Sequence, residues 1–263
     1  MIAGIYQLNP VFGEVVHNFQ KVEAALSDTT ADLIVLPEFF ATGYQFASQK
    51  EIAELSEEIP AGPTTDFLCR LSASLKCHIV GGLPEREGDR YFNSAILTGP
   101  EGFIGSYRKT HLFYEETLYF TPGDSGFKVW DTQIGRIGIM ICFDWFFPES
   151  MRTLALMGAD IVAHPSNLVL PFCPDSMPVR CLENRVAALT ANRVGTEDRT
   201  SGNPLTFIGN SEIVSAQGKI LTRASMADEE IITAKLNPAD SRNKSLNQYN
   251  NLFTDRRPGI YKL

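Results

Sequence analysis

Short apolar runs alternate with helical patterns from one end of the chain to the other. The runs are bounded by proline, glycine or polar residues, which is typical of buried strands. Between them, apolar residues recur at spacings of three and four, which is typical of helices that cover a core. The predicted strands cover residues 2–8, 32–36, 78–83, 137–141, 160–164 and 189–194, and the predicted helices cover residues 17–26, 64–75, 148–158 and 177–187. This alternation predicts an α/β protein.

Two hairpins are predicted among these elements. Residues 92–97 and 102–107 flank one glycine- and proline-containing turn, and residues 211–214 and 219–222 flank another turn that ends in glycine. Hairpins add antiparallel strands, so we predict a mixed sheet rather than a purely parallel one. The last segment, residues 236–263, is polar and irregular. It is predicted to lie on the surface or to contact a partner subunit.

Composition limits the possible classes of function. The chain has 263 residues, a net charge of −8 and 44% hydrophobic residues, which fits one large domain or two small ones. The acidic balance argues against nucleic acid or an anionic membrane surface as a partner, since both require clustered Lys and Arg. The first residues lack a signal-peptide pattern, and no apolar stretch approaches the roughly 20 residues of a membrane-spanning helix. We therefore expect a soluble, cytoplasmic protein.

The five cysteines and four histidines do not indicate a metal site or a disulfide framework. The number of cysteines is odd, and no Cys-x-x-Cys pair occurs. The histidines are scattered without the spacing of metal ligands. Reduced thiols and a protein without a bound metal are the expectation.

Three reactive side chains each follow a predicted strand. Glu38 follows residues 32–36, Lys109 follows residues 102–107, and Cys142 follows residues 137–141, just before a predicted helix start. Ligand sites in α/β sheets favour the carboxyl ends of strands. If the three strands are parallel neighbours, an acid, a cation and a thiol meet at one edge.

Such a group of side chains suits acyl transfer. A thiol becomes a good nucleophile beside a base or a cation, and we expect Cys142 to react with iodoacetamide well before the other four thiols, with a low apparent pKa. A carboxylate can accept the thiol proton and later activate water. An ammonium can stabilise an oxyanion together with a backbone N–H such as that of Phe143. Taken singly, each residue is more often structural, and only the combination indicates a hydrolase or transferase.

Two other interpretations use the same residues differently. A papain-like hydrolase would pair Cys142 with His111 or His164. A non-catalytic interaction protein would contain Cys142 as a packed thiol. The glutamate and lysine at strand ends argue against both.

The segments around the three reactive residues resemble the motifs of the nitrilase superfamily of carbon–nitrogen hydrolases. The matching phrases are Leu36-Pro37-Glu38-Phe39-Phe40, Tyr107-Arg108-Lys109-Thr110-His111 and Ile141-Cys142-Phe143-Asp144 with Phe147-Pro148-Glu149. The resemblance spans essentially the whole chain. It implies an α/β fold, a four-layer α-β-β-α sandwich, with residues 1–263 forming a single domain. It also implies a homodimer or a larger homo-oligomer, in which the tail 236–263 contacts a partner subunit.

The resemblance also implies a role for each reactive residue. Cys142 is the expected nucleophile, Glu38 the general base and Lys109 the group that stabilises the tetrahedral intermediate. A second glutamate that orders the site is expected just after the lysine motif, and Glu116 is preferred over Glu115. No metal and no organic cofactor is needed for this chemistry.

The substrate expected from the resemblance is a small molecule that contains an amide or nitrile. An amidase that releases ammonia through a cysteine thioester is preferred, because Cys142-Phe143-Asp144 differs from the Cys-Trp-Glu phrase common among true nitrilases. A nitrilase is the first alternative. An N-carbamoyl amidohydrolase is the second, with Arg152 or Arg180 binding a substrate carboxylate. The expected substrate-binding residues are Tyr44, Phe113, Phe143, Trp145 and Asn167.

Overall fold

Two six-stranded sheets form the centre of the protein in the computed structural model, which describes residues 1–200 and 202–261. The strands are β1 (Ile2–Gln7), β2 (Leu33–Val35), β3 (His78–Glu87), β4 (Arg90–Gly99), β5 (Gly102–Arg108), β6 (Val129–Thr132), β7 (Gly135–Ile139), β8 (Ile161–Pro165), β9 (Ala187–Ala191), β10 (Thr196–Glu197), β11 (Leu205–Thr206), β12 (Glu212–Val214), β13 (Ile220–Arg223) and β14 (Glu230–Lys235). The α-helices are α1 (Val15–Leu26), α2 (Gln49–Leu55), α3 (Pro63–Leu75), α4 (Glu116–Tyr119), α5 (Pro148–Leu156) and α6 (Cys173–Asn184).

Both sheets are mixed. The first has the strand order β14-β1-β2-β3-β4-β5, and the second has the order β13-β12-β9-β8-β7-β6. In each sheet, three neighbouring strands are parallel: β1, β2 and β3 in the first, and β7, β8 and β9 in the second. Antiparallel strands complete both edges, so the prediction of a mixed sheet is confirmed.

The main apolar core lies between the two sheets. Strand β2 shows why, because successive side chains of a strand point to opposite faces. Its Leu33 and Val35 belong to the buried cluster shared with Ile139 of the second sheet, whereas Ile34 packs in a separate cluster with Leu68 of α3. Helices α1 and α3 cover the first sheet, and α5 and α6 cover the second. The predicted four-layer α-β-β-α sandwich is confirmed.

Most predicted elements match the structure within a few residues, and the largest difference lies after α6. The predicted helix 177–187 is wrong at its end, because α6 stops at Asn184 and Ala187 already begins β9. Arg185 has a φ of +50° and terminates the helix in the left-handed region, which residues other than glycine rarely adopt. The sequence did not predict α2, α4, β6, β10, β11 or β14.

The tail is irregular, as predicted, apart from a short 3-10 helix at Pro238–Ser241. It is anchored to this chain, since the Ser241 hydroxyl donates to the backbone oxygen of Asp160 at 2.6 Å and Lys244 donates to the oxygen of Arg185 at 2.7 Å. Contact between the tail and a partner subunit stays a prediction, and residues 262–263 lie outside the described part. Within residues 1–200 and 202–261, no helix has the length and apolar character needed to cross a membrane.

Candidate active site

The three strand-end residues meet, although their strands are not parallel neighbours in one sheet. Strands β2 and β5 belong to the first sheet and run in the same direction, but β3 and β4 separate them. Strand β7, which precedes Cys142, lies in the second sheet. The carboxylate and the ammonium therefore come from one sheet and the thiol from the sheet packed against it.

Lys109 lies between two carboxylates. Its Nζ is 2.8 Å from Oε1 of Glu38 and 2.7 Å from Oε1 of Glu116. The Lys109 and Glu38 side chains are fully buried, and that of Glu116 is 3% exposed. Asn93 on β4 donates to Oε1 of Glu38 at 2.6 Å. The structure therefore places Glu116 against Lys109, whereas its neighbour Glu115 is half-buried.

Glu38 is fixed by the backbone around it. The next residue, Phe39, has a φ of +52°, which turns the chain sharply after β2. Gly82 packs directly beneath, and a Cβ at Gly82 would lie 2.6 Å from the Cα of Glu38. Asn167 donates from Nδ2 to the backbone oxygen of Glu38 at 2.8 Å, which ties this turn to the second sheet. The Oε2 atom of Glu38 is buried and has no hydrogen-bond partner among the described residues.

Cys142 occupies a strained turn between β7 and the 3-10 helix Cys142–Phe146. Its φ of +40° lies in the left-handed region, which is costly for a residue with a Cβ. Asp144 stabilises the turn by accepting the backbone N–H of Ile141 at 2.9 Å, as in a helix cap. The same carboxylate accepts the Tyr107 hydroxyl at 2.8 Å and the backbone N–H of His111 at 3.1 Å. Asp144 thus joins the cysteine turn to the loop after Lys109.

Burial and charge set the protonation of the site. Burial, opposed by the nearby Lys109 ammonium, raises the pKa of Glu38 to about 7. Burial would lower the pKa of Lys109, but the carboxylates of Glu116 and Glu38 outweigh it and raise that pKa above its usual range. Burial and the Glu38 charge hold the pKa of Cys142 well above its ordinary value, despite the opposing effect of Lys109. The expectation of a low thiol pKa at Cys142 is therefore wrong, and the resting group is a neutral thiol.

Cys142 opens into a mostly apolar recess of about 310 Å³, which includes open solvent at its mouth. Besides Cys142, the recess is lined by Phe113, Phe143, Trp145, Phe146, Asn167, Leu168, Val169 and Leu170. Four of the five residues expected to bind substrate are in this set. The fifth, Tyr44, lies instead behind Glu116, where its hydroxyl donates to Oε1 at 2.6 Å.

The two arginines considered for a substrate carboxylate are bound elsewhere. Arg152 donates to the backbone oxygen of Glu183 at 2.7 Å. Arg180 donates to the backbone oxygen of Trp145 at 3.2 Å and forms an ion pair with Glu183. Neither side chain lines the recess, so the structure gives no support for a carboxylate subsite there.

Neither histidine is paired with the thiol as a papain-like mechanism requires. His164 contacts the backbone oxygen of Cys142 at 2.9 Å, and burial lowers its pKa to about 4, so it is a neutral donor that holds the turn. His111 Nδ1 lies 2.7 Å from Asp144 and its ring stacks on Phe147 at 3.7 Å. The geometry therefore favours Glu38 over a histidine as the partner of the thiol.

Sequence reasoning missed several residues that shape this site. Asn93 looked like an ordinary polar residue of a strand, and His164 was considered only as a papain-like partner of the thiol, not as the residue that holds the cysteine turn. Asp144 stands within the cysteine motif, yet its role in capping the turn was not predicted. Its position two residues after the thiol, in an otherwise aromatic segment, was the available clue.

The chain belongs to the carbon–nitrogen hydrolase family, whose family model matches residues 2–244. It is therefore a hydrolase that acts on carbon–nitrogen bonds, as the resemblance to the nitrilase superfamily predicted. It is 47% identical to a protein named nitrilase from Pyrococcus abyssi over 258 residues, covering 97% of both chains. It is 30% identical to an N-carbamoylputrescine amidase from Solanum lycopersicum, covering 93% of this chain and 87% of the relative.

The fold also matches solved structures of this class. The crystal structure of a carbon–nitrogen hydrolase from Helicobacter pylori G27 superposes with a TM-score of 0.87 and 27% identity, covering 99% of this chain and 96% of that chain. An amidase of the nitrilase superfamily from Nesterenkonia superposes with a TM-score of 0.81 at 24% identity and supports the fold alone.

Proposed function

We propose that the protein hydrolyses a small, uncharged nitrile through a covalent intermediate on Cys142. The observation that carries the covalent mechanism is Lys109, buried between Glu38 and Glu116 beside a neutral thiol. Burying a cation between two carboxylates costs desolvation energy, and such buried charge clusters are typical of functional sites. One carboxylate can act as a base while the other keeps the ammonium in place.

Glu38 is the proposed general base. Its Oε2 is buried and has no hydrogen-bond partner in the part of the chain that the structure describes, so it can accept the thiol proton, whereas Oε1 is occupied by Lys109 and Asn93. A pKa of about 7 suits a group that must take up and release a proton near neutral pH. Lys109 is the proposed donor to the negative charge that develops on the substrate.

The proposed reaction has two stages. The thiol proton of Cys142 moves to Glu38 as sulfur bonds to the nitrile carbon, and the nitrogen takes up that proton to give a thioimidate. Water adds to the thioimidate, ammonia leaves, and a thioester remains. Glu38 then deprotonates a second water, which attacks the thioester and releases the carboxylic acid and the thiol. An amide substrate would lose ammonia from a tetrahedral intermediate and enter the same thioester stage.

The recess indicates the class of acyl group. Most of its lining is aromatic or aliphatic, which favours an apolar chain over a charged one. Asn167 contributes a polar atom, since its Oδ1 is buried without a partner among the described residues. That oxygen can accept an N–H of the thioimidate or amide.

The choice between nitrile and amide is supported by the relatives rather than by the triad, which suits both reactions. The 47% identical relative is named nitrilase and matches over nearly its whole length, which favours the nitrile. The phrase Cys142-Phe143-Asp144 favours an amidase, and the 30% identical relative is named an amidase. Amide hydrolysis is therefore the second candidate.

Ammonia release from a matched panel tests the proposal. The panel contains aliphatic nitriles, the corresponding amides and an N-carbamoyl amine of similar length, with Cys142→Ala as the inactive enzyme. Cys69→Ser is the matched control, because Cys69 is a half-buried thiol of α3 outside the site. Intact mass after brief incubation should show the acyl group on Cys142.

Each outcome of the panel has a meaning. Turnover of nitriles above amides supports the first candidate, and turnover of amides alone rejects it in favour of the second. Activity confined to the N-carbamoyl amine contradicts the argument from the apolar recess. No ammonia and no adduct with any substrate would reject the mechanism.

We also infer that the chain forms a homodimer through its tail. Leu246, Tyr249 and Ile260 of the tail are 53%, 82% and 54% exposed, which is unusual for large apolar side chains in one short segment. Light scattering after size exclusion should give twice the mass of one chain. Tyr249→Ser together with Leu246→Ser should then give monomers, and a monomeric wild-type protein would contradict the inference.

A further inference from the structure

Tyr44 contacts the carboxylate that holds Lys109 from the side away from the recess. Its side chain is buried, and its hydroxyl donates to Oε1 of Glu116 at 2.6 Å. The same oxygen accepts Lys109 at 2.7 Å. Oε2 of Glu116 has only longer contacts, with the backbone N–H of Phe113 at 3.3 Å and with Asn93 at 3.4 Å. The orientation of Glu116 is therefore set mainly at Oε1, by the ammonium and the phenol together.

Tyr44 is itself held at its backbone and at its ring. The backbone N–H groups of Tyr44 and Gln45 donate to Oε2 of Glu197 at 3.1 and 2.6 Å. Glu197 forms an ion pair with Arg193, which is 1% exposed. The Arg193 guanidinium lies 4.1 Å from the ring centroid of Phe207, and Phe207 packs edge-on against Tyr44. A buried ion pair and an aromatic contact thus fix the direction of the phenol.

We propose that Tyr44 is a positioning residue of the hydrolytic reaction, which acts through Glu116 to keep Lys109 aimed at the developing negative charge; this inference rests on the proposed function. Without the phenol, Glu116 can rotate about its last bond, and Lys109 follows the carboxylate. A displacement of about 1 Å at a group that stabilises a transition state can cost about 100-fold in rate. Burial and the neighbouring carboxylates hold the pKa of Tyr44 well above its ordinary value, so the phenol remains a donor throughout the assay range.

Tyr44→Phe tests the proposal by removing only the hydroxyl. We expect kcat to fall about 10- to 100-fold, the usual effect of losing a hydrogen bond to a charged group. KM should stay close to the wild-type value, because Tyr44 does not line the recess. Tyr6→Phe is the matched control, since Tyr6 is a buried tyrosine of β1 in the cluster beneath the helices. Tyr6→Phe should leave both constants unchanged.

A double-mutant cycle with Glu116→Gln separates positioning from general packing. If Tyr44 acts through Glu116, Tyr44→Phe should cause little further loss of kcat in the Glu116→Gln background. The same fold loss in both backgrounds would overturn the proposal, as would wild-type kcat in Tyr44→Phe or a change in KM alone.

Alkylation of Cys142 by iodoacetamide gives a second readout that needs no substrate. Lys109 lowers the pKa of this thiol, so its displacement in Tyr44→Phe should move the pH midpoint of alkylation upward. An inactive wild-type enzyme would refute the proposed function, and this midpoint would still decide the role of Tyr44. An unchanged midpoint in Tyr44→Phe contradicts the positioning role, even if Glu116→Gln does not fold.

Discussion

The acid limb of the pH–rate profile should report the ionisation of Glu38. Burial raises its pKa to about 7. Above that pH the carboxylate is ionised and can act as a base, and as the pH falls below it the ionised form is progressively replaced by the protonated acid. Below the midpoint, the ionised fraction falls about tenfold per pH unit, so kcat/KM at pH 5 should be about 100-fold below its plateau. A glutamate with an ordinary pKa of about 4.3 would keep most of its activity at pH 5.

The assay is kcat/KM for ammonia release between pH 5 and 9 with substrate well below KM. Glu38→Gln largely keeps the shape and the hydrogen-bonding capacity of the side chain but removes the base. The plateau of kcat/KM should therefore fall about 100- to 10,000-fold. Glu212→Gln is the matched control. Glu212 is a buried residue of β12 that pairs with Arg223 of β13, outside the site, and burial raises its pKa to about 7 as well.

Glu212→Gln should leave the acid limb where it is in the wild-type enzyme. A wild-type midpoint near pH 4 to 5 would refute the argument that burial tunes Glu38 for this role. An unaltered limb and a near-normal plateau in Glu38→Gln would show that another group is the base. A thermal melt at each pH separates loss of activity from loss of the folded state.

Three further substitutions test the other parts of the site. Cys142→Ala should abolish turnover with an unchanged melting temperature in differential scanning fluorimetry, whereas Cys69→Ser should keep normal activity; residual turnover in the first would exclude the nucleophile role. Lys109→Ala should lower kcat by about 100-fold or more and also lower the melting temperature, because two buried carboxylates lose their cation; normal kinetics would contradict both. Asp144→Asn should destabilise the fold by about 1–3 kcal/mol in urea denaturation and slow alkylation of the thiol, and an unchanged alkylation rate would mean that the cap does not position it.

Local patterns in the sequence were enough to place the reactive residues at strand ends. Glu38 and Lys109 each stand two residues after the end of a predicted strand, so placing them needs only the strand pattern and a stop signal. The position of Cys142 at a strand end was predicted in the same way, because it follows the apolar run 137–141 and precedes the helix that begins at Pro148. The resemblance to a family then supplied the four-layer arrangement that these patterns alone did not determine.

Long-range pairing could not be predicted in the same way. Residues 137–141 do not indicate that β7 joins a different sheet from β2 and β5, because strand pairing depends on contacts between residues that are distant in sequence. The role of Asn93 depends on the register of β4 against its neighbours, and that of Tyr44 on the turn after β2. The thiol pKa was mispredicted for a related reason, since desolvation depends on how deeply the second sheet buries Cys142.

The charge balance of the site explains why it needs two carboxylates around one ammonium. When the thiol proton moves to Glu38, a negative charge passes from the Glu38 oxygen to the Cys142 sulfur. The net charge of the buried side chains of the site therefore does not change. No new net charge has to be desolvated, which makes the step feasible in a buried site. Once Glu38 is protonated, however, it no longer holds Lys109 as an ion pair. Glu116 must then keep the ammonium charged and oriented until Glu38 releases its proton, so a site with Glu38 alone would lose the donor to the developing negative charge at the moment of attack.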